Sequence, residues 1–303
     1  NHRVMDSVRG VTKMLPTNGS GAEETISAGL ASFDSNGFTL NTTDSGYNSS
    51  SYTYVAWCWK AGTAWSNDAS ATGVGSLDSS GSKSATAGFS IISFTGTESG
   101  TPSIAHGLSS TPEFIISKAR AITDNWMVFH GSFSAQDYML FNTTAAKASA
   151  SSVWNSLPSS TVINMGDNAG VNDDGAMIMY AFHSVQGFSK FGSFLGTGNA
   201  DGAYVYLGFK PAWIIIKKTN SSGSVNWYIF DNKRSPINAV DDFLKADTTD
   251  TEGGDGNGYV DFLSNGFKLK TSDIGTESGG TFVYMAFAEA PFVNSNGVPA
   301  NAR

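Results

Sequence analysis

Asp137-Tyr-Met-Leu-Phe-Asn-Thr-Thr144 returns as Asp242-Phe-Leu-Lys-Ala-Asp-Thr-Thr249, an offset of 242 − 137 = 105, and Tyr180-Ala-Phe182 returns as Met285-Ala-Phe287 at the same offset. Two independent anchors with one spacing mark an internal repeat. Upstream, Gly88-Phe-Ser90 matches Gly187-Phe-Ser189 and Pro112-Glu-Phe-Ile-Ile-Ser-Lys118 matches Pro211-Ala-Trp-Ile-Ile-Ile-Lys217, both at an offset of 99. Trp126-Met-Val-Phe129 matches Trp227-Tyr-Ile-Phe230 at 101, so the inserted residues fall in loops between the anchors.

The repeats set the organisation. A second unit runs over 88–187 and a third over 187–292. The amino-terminal stretch 1–62 matches only the back half of a unit: Asn36-Gly-Phe38 corresponds to Asn265-Gly-Phe267, Tyr54-Val-Ala-Trp57 to Tyr284-Met-Ala-Phe287, and Asp6-Ser-Val-Arg9 to Asp231-Asn-Lys-Arg234. The missing front strands come from residues outside the sequence, from another chain, or not at all, and a half unit left alone has an apolar face and bare strand edges, so a truncated or processed larger protein is expected. Residues 63–87, nearly free of apolar side chains, read as a linker, and 293–303 as a terminal tail. With no linker at Gly187, the second and third units are expected to pack end to end.

Within each unit, short aromatic and β-branched runs alternate with Gly, Ser, Asn and Asp clusters, as in Ser90 to Phe94, Glu113 to Lys118 and Ala176 to Phe182. That spacing predicts an all-β fold: tandem antiparallel β-sandwich, jelly-roll-like repeats, the first one incomplete. Asn36-Gly37 and Asn265-Gly266, each between apolar runs, predict the same tight hairpin twice. Ala145 to Ser156 is the one stretch with the pattern of a short helix.

The 303 residues carry 18 basic and 26 acidic side chains, a net charge of −8, and only 15% charged residues. The surface is therefore largely neutral Ser, Thr, Asn and Gly, and the acidic balance argues against nucleic acid or an anionic membrane as partner. Cys58 stands alone, which rules out an internal disulfide and any site of several thiolates. The longest apolar runs, such as Ala212 to Ile216, fall far short of the roughly 20 residues of a membrane-spanning helix.

Motifs for chemistry are few. There is no Gly-x-Ser-x-Gly elbow, His-Glu-x-x-His, Walker loop or Gly-x-Gly-x-x-Gly, and no catalytic residue is assigned. His130 falls opposite Asp231 and His183 opposite Ala288, so with His106 they read as turn or surface residues. A glycosidase needs only two suitably spaced carboxylates, so glycan cleavage stays open. The oxygen-rich stretch 247–261 offers Asp250, Glu252, Asp255 and Asn257 as a Ca²⁺ candidate without EF-hand spacing, its alternative being a solvated acidic loop; Asn172-Asp173-Asp174 occupies a similar place. No other cofactor is implied. Trp57, Trp126, Trp213 and Trp227 recur at repeat-equivalent positions and read as core, whereas Trp65 and Trp154 in polar stretches are the candidates for glycan contact. Five Asn-x-Ser/Thr sequons start at Asn18, Asn41, Asn48, Asn142 and Asn220.

The series Asp6-Ser-Val-Arg-Gly10, Ser32-Phe-Asp-Ser-Asn-Gly-Phe38 and Tyr54-Val-Ala-Trp-Cys-Trp-Lys-Ala-Gly62 resembles a repeated β-domain in virion proteins of tailed bacteriophages, marine cyanophages among them. The resemblance covers nearly the whole chain and implies a non-catalytic virion component, a tail fibre, tailspike or capsid-surface fibre. It also implies a homotrimer, other virion proteins and a host surface glycan or receptor as partners. A carbohydrate-binding module or a glycan depolymerase is the alternative.

Overall fold

The computed structural model describes residues 2–220, 225–254, 256 and 258–290, and within them the regular structure is nearly all strand. The first unit forms β1 (Arg3–Val4), β2 (Lys13–Pro16), β3 (Glu24–Thr25) and the hairpin β4 (Leu30–Asp34) and β5 (Gly37–Leu40). Residues 63–87, expected as a linker, instead hold β6 (Thr63–Asn67), the single-turn helix α1 (Ala69–Thr72) and β7 (Ser79–Ser84). The Ser- and Gly-rich strands of this stretch lack apolar periodicity, and they are held by the ladder they make with their neighbours.

The second unit continues with β8 (Phe89–Thr95), β9 (Ser103–Ala105), β10 (Phe114–Ala119), β11 (Met127–His130), β12 (Asp137–Leu140), β13 (Ala148–Ser149), β14 (Val162–Asn164), the single-turn helix α2 (Ala169–Asn172) and β15 (Ala176–Phe182). The helix expected near Ala145 to Ser156 is replaced by β13 and a turn. The third unit comprises β16 (Ser189–Gly196), β17 (Tyr204–Tyr206), β18 (Pro211–Lys218), β19 (Tyr228–Asp231), β20 (Phe243–Lys245), β21 (Val260–Leu263), β22 (Gly266–Leu269) and β23 (Gly280–Ala288).

The repeat is visible in the ladders. The second unit's large sheet has the order β13-β12-β11-β10-β15-β8-β7-β6, the third's β16-β23-β18-β19-β20, so the shared run of five is the same in both. Opposite them lie β9 with β14 and the trio β17-β22-β21. The ladders align Ile91 with Phe191, an offset of 100, one residue off the 99 of the sequence match on that strand. The same hairpin does occur twice, with Phe33 paired to Phe38 and Phe262 to Phe267. Its two-residue loops are Ser35-Asn36 and Ser264-Asn265, and neither Asn has the positive φ expected of them. Gly88, by contrast, needs to be glycine: its φ is 62° and a Cβ there would meet the His183 carbonyl oxygen at 2.6 Å.

Each sandwich has its own core, one around Ile92, Phe129, Trp154 and Met179, the other around Ile214, Phe230, Phe267 and Tyr284. The outer faces of the two large sheets then pack on each other, face to face and not end to end as expected. Phe89, Phe114, Trp126, Ile178 and Phe182 meet Phe191, Trp213, Trp227, Met285 and Phe287 in one central cluster, which Leu15, Val8, Trp57 and Trp59 of the first unit close. Central strands are thus buried on both faces, which is why Trp213-Ile-Ile-Ile216 carries no alternation. Each buried ring contributes about 2–3 kcal/mol of transfer free energy.

Around this cluster the three units repeat the same contacts in a ring. Trp126 Nε1 of the second unit donates to the Pro16 carbonyl of the first at 2.9 Å, and Trp227 Nε1 of the third donates to the Leu140 carbonyl of the second at 2.9 Å. The first unit's counterpart is His2, since 126 − 2 = 140 − 16 = 124, and its ring faces the backbone of Lys245 in the third unit. The backbone N–H groups of His2, Trp126 and Trp227 donate to Asn18, Asn142 and Asp247 Oδ1 at 3.0, 2.9 and 3.0 Å. With Asn41 and Asn220, which accept the Gly29 and Thr281 N–H groups at 2.8 and 3.0 Å, four of the five sequon asparagines are structural acceptors.

Asp6 and Asp231 make matching turns. Asp6 Oδ1 accepts the Val8 and Arg9 N–H groups, and Arg9 Nε donates to Oδ2 at 2.5 Å; Asp231 does the same with Lys233, Arg234 and Arg234 Nε at 2.7 Å. A neighbouring unit supplies an aromatic donor to each: Tyr180 Oη reaches Asp6 at 2.6 Å and Trp57 Nε1 reaches Asp231 at 3.3 Å. At the third position His130 replaces the aspartate, its Nδ1 accepting the Ser132 N–H at 3.0 Å, and Phe133 replaces the arginine. One chain thus builds a closed pseudo-threefold body. Glu23, paired with Arg9 of its own unit at 3.2 Å, ties the first unit to the second through Arg120 at 2.8 Å.

Candidate functional site

Trp65 lies on β6, the outermost strand of the eight-stranded sheet, paired with Gly81. An edge position leaves one flank open, and here it borders a groove of about 290 Å³ lined by Trp65, Ser66, Asn67, Lys83, Ser160 and Thr161 together with the apolar Val74, Ala105 and Leu108. The indole lies flat against the backbone of Gly107, φ 71°, where a Cβ would come within 2.7 Å of the ring. Lys83 Nζ donates to the Gly107 carbonyl at 2.6 Å, which fixes that floor. Asn67 holds the far wall, donating to the Val74 carbonyl at 2.9 Å and accepting from Thr72 Oγ1 at 2.8 Å.

Half-buried indole, hydroxyls on the opposite rim and one ammonium make a surface suited to stacking and hydrogen bonding a neutral polyol. His106 stands behind the groove with its Nε2 3.3 Å from the Ser159 carbonyl, on the loop that carries Ser160 and Thr161. Burial pushes its imidazole down to about 4, so it is neutral at pH 7. Sequence reading found Trp65 but missed Ser160, Thr161 and Lys83, which approach it from distant strands and loops.

The other candidates fall elsewhere. Trp154 is not on the surface: its ring is fully buried and meets Phe129 edge-on, 6.2 Å between centroids, because the loop carrying it folds down as a plug over the second unit's sheet. Asp250 pairs with Lys245 at 2.9 Å and Glu252 with Arg234 at 3.0 Å, so each faces a cation of its own chain and they do not converge on a common point. Asp255, Asn257 and the tail 293–303 lie outside the described residues. Among the described residues one trio of carboxylates, Glu98, Asp173 and Asp174, has ligand atoms within 4.8 Å of one another. Asp173 and Asp174 belong to the acidic stretch singled out by sequence; Glu98 joins them from the loop that follows β8, the strand paired with β15.

His106, His130 and His183 are all buried, and none contacts a serine and a carboxylate in the order a nucleophilic triad requires. Lys118 and Lys217, repeat counterparts, are buried too, and burial pushes both down to about 8. Lys118 Nζ donates to the Ala119 and Ile122 carbonyls at 2.9 and 3.2 Å, and Lys217 Nζ to the Val225 carbonyl.

Residues 1–291 match a family model described as a domain of unknown function (DUF7483). No curated protein and no solved structure matches.

Proposed function

The chain belongs to the DUF7483 family, a domain of unknown function, and we propose that it is a non-catalytic structural and adhesion module of an extracellular particle, a virion fibre or spike component, whose Trp65 groove contacts a surface glycan. The observation that carries this reading is the groove itself: an indole face held rigid on Gly107 and rimmed by Ser66, Ser160 and Thr161. The low charge content fits a partner rich in neutral hydroxyls. A closed three-unit body with a large shared core fits a load-bearing spacer, since no unit can turn against its neighbours without opening that core. The resemblance to bacteriophage virion repeats supports placement on a particle, where the module meets its host. Whether the particle carries one copy or a trimer is read from the mass of the assembled protein.

The test is peptide mass spectrometry and immunogold labelling of purified particles, followed by adsorption in the presence of the isolated protein. The reading expects the protein at fixed stoichiometry on the particle and competition for adsorption by wild type but not by Trp65→Ala. Absence from particles, or equal competition by both, overturns it.

A further inference from the structure

Residues 53–61 run with strict alternation: Val55, Trp57, Trp59 and Ala61 are half-buried, the last three against the central cluster, while Tyr54, Ala56, Cys58 and Lys60 are exposed. The pattern is that of a strand, and the repeat makes the segment the counterpart of β15 and β23, the central strands of the two complete units. Yet among the described residues no backbone N–H or carbonyl of 53–61 makes a hydrogen bond, whereas β15 is paired with β8 and β10, and β23 with β16 and β18. An extended stretch with two bare edges is a strand without its sheet.

The hairpin β4–β5, counterpart of β21–β22, is bare in the same way. Phe33 and Phe38 are 43% and 40% exposed, while their counterparts Phe262 and Phe267 are 3% and 0% exposed beneath β17 and the third unit's large sheet. Tyr54 is 46% exposed and its counterpart Tyr284 is 3% exposed. The central face of the first unit is therefore finished, but its own sandwich core, equivalent to the one around Phe267 and Tyr284, has no second half. Every missing neighbour belongs to one block of the repeat, the front half represented by β16, β17 and β18.

We propose that residues 53–61 form a two-sided strand-acceptor slot that receives a front half-repeat: two antiparallel strands flanking the segment on either edge, and a third against β5, joined in cis ahead of β1. The occupant follows from the two complete units, which show the same block seated on the same strand. The source follows from their chain order, in which this block directly precedes the strand that β1 stands for: β18 leads into β19, and His2 is the counterpart of Trp227. The inserted strands need the pattern of Pro211-Ala-Trp-Ile-Ile-Ile-Lys217, apolar on both faces, because one face meets the central cluster and the other covers Phe33, Phe38 and Tyr54. This stands independently of the functional reading above.

The experiment fuses a copy of residues 187–226 directly ahead of His2 and follows amide hydrogen exchange by mass spectrometry. In the chain without the fusion, 53–61 should exchange as open backbone; with it, exchange there should slow by at least about 100-fold, with Phe33 and Phe38 peptides protected as well. A fusion carrying Ile214→Lys and Ile216→Lys in the copied segment, or an Ala56→Pro change in the slot, should remove that protection while β15 and β23 stay protected, which separates slot filling from general misfolding. Unchanged exchange at 53–61 in a folded fusion overturns the proposal. So does protection from the same segment added as a free peptide but not from the fusion, which makes the donor another chain. Concentration-dependent protection of the unfused chain with a doubled mass by light scattering also overturns it, the occupant then being a second copy.

Discussion

Replacing Phe287 by alanine should weaken all three units together. The ring sits where they meet, with centroids of Trp59, Phe182, Phe188, Phe191 and Trp213 at 5.5, 6.1, 5.8, 5.9 and 5.8 Å. Truncation removes the transfer free energy of a buried phenyl group and leaves a cavity walled by five rings on three different units, too stiff to collapse; the cost is about 3–5 kcal/mol. For a chain of this size that lowers the melting temperature by roughly 10 °C. The diagnostic is where the loss is felt. If the shared cluster makes one cooperative body, circular dichroism and tryptophan fluorescence trace a single transition in wild type and variant, and amide exchange accelerates in β8 and β15 of the second unit as much as in β23. Two separated transitions, with the second unit's protection untouched, would refute the face-to-face account.

Other outcomes follow from the same contacts. His106 and His130 are both pushed down to about 4 by burial, below an ordinary value of 6.5, so the unfolded chain binds more protons than the folded one between those limits; urea midpoints should fall as pH drops from 6.5 to 4 and level off below, at roughly 3 kcal/mol for each histidine, and His130→Asn should reduce that slope. The ammonium groups of Lys118 and Lys217, pushed down to about 8, act in the same direction at higher pH, stability rising between about 8 and 10.5. Burial raises the Asp231 carboxyl, but the Arg234 N–H and guanidinium outweigh it and hold it low; Asp231→Ala leaves Arg234 and Trp57 Nε1 without their acceptor and should cost about 3 kcal/mol in thermal denaturation. Because Asp250 and Glu252 already face Lys245 and Arg234, millimolar Ca²⁺ should leave the melting temperature unchanged, where a site filled 100-fold above its dissociation constant would add about 2.7 kcal/mol.

Much of this architecture is legible in the chain. The anchors at offset 105 are the strands β12, β15, β20 and β23, and the match of Asp6-Arg9 to Asp231-Arg234 survives as two turns with the same hydrogen bonds. Packing between units is less legible, because a strand buried on both faces, such as Pro211–Lys218, looks the same whichever partner covers it. The strands β6 and β7 escape notice because Ser79-Ser-Gly-Ser-Lys-Ser84 offers no apolar side; their order comes from backbone pairing with β8. Trp154 misleads for the opposite reason, a large apolar ring amid serines that the loop turns inward as a plug. The groove was half visible: Trp65 has a sequence signal, but Ser160 and Thr161 reach it only through the fold.

The most direct measurement is a titration of the intact protein with a panel of neutral hexose polysaccharides, read by tryptophan fluorescence and calorimetry on wild type, Trp65→Ala and Trp154→Phe. The account predicts saturable binding to at least one polymer, lost at least about tenfold in Trp65→Ala, a variant that still unfolds in one cooperative transition at a lowered melting temperature, and retained in Trp154→Phe. Binding that is indifferent to Trp65, or no binding by the folded wild type across the panel, would contradict a glycan-contacting groove on β6.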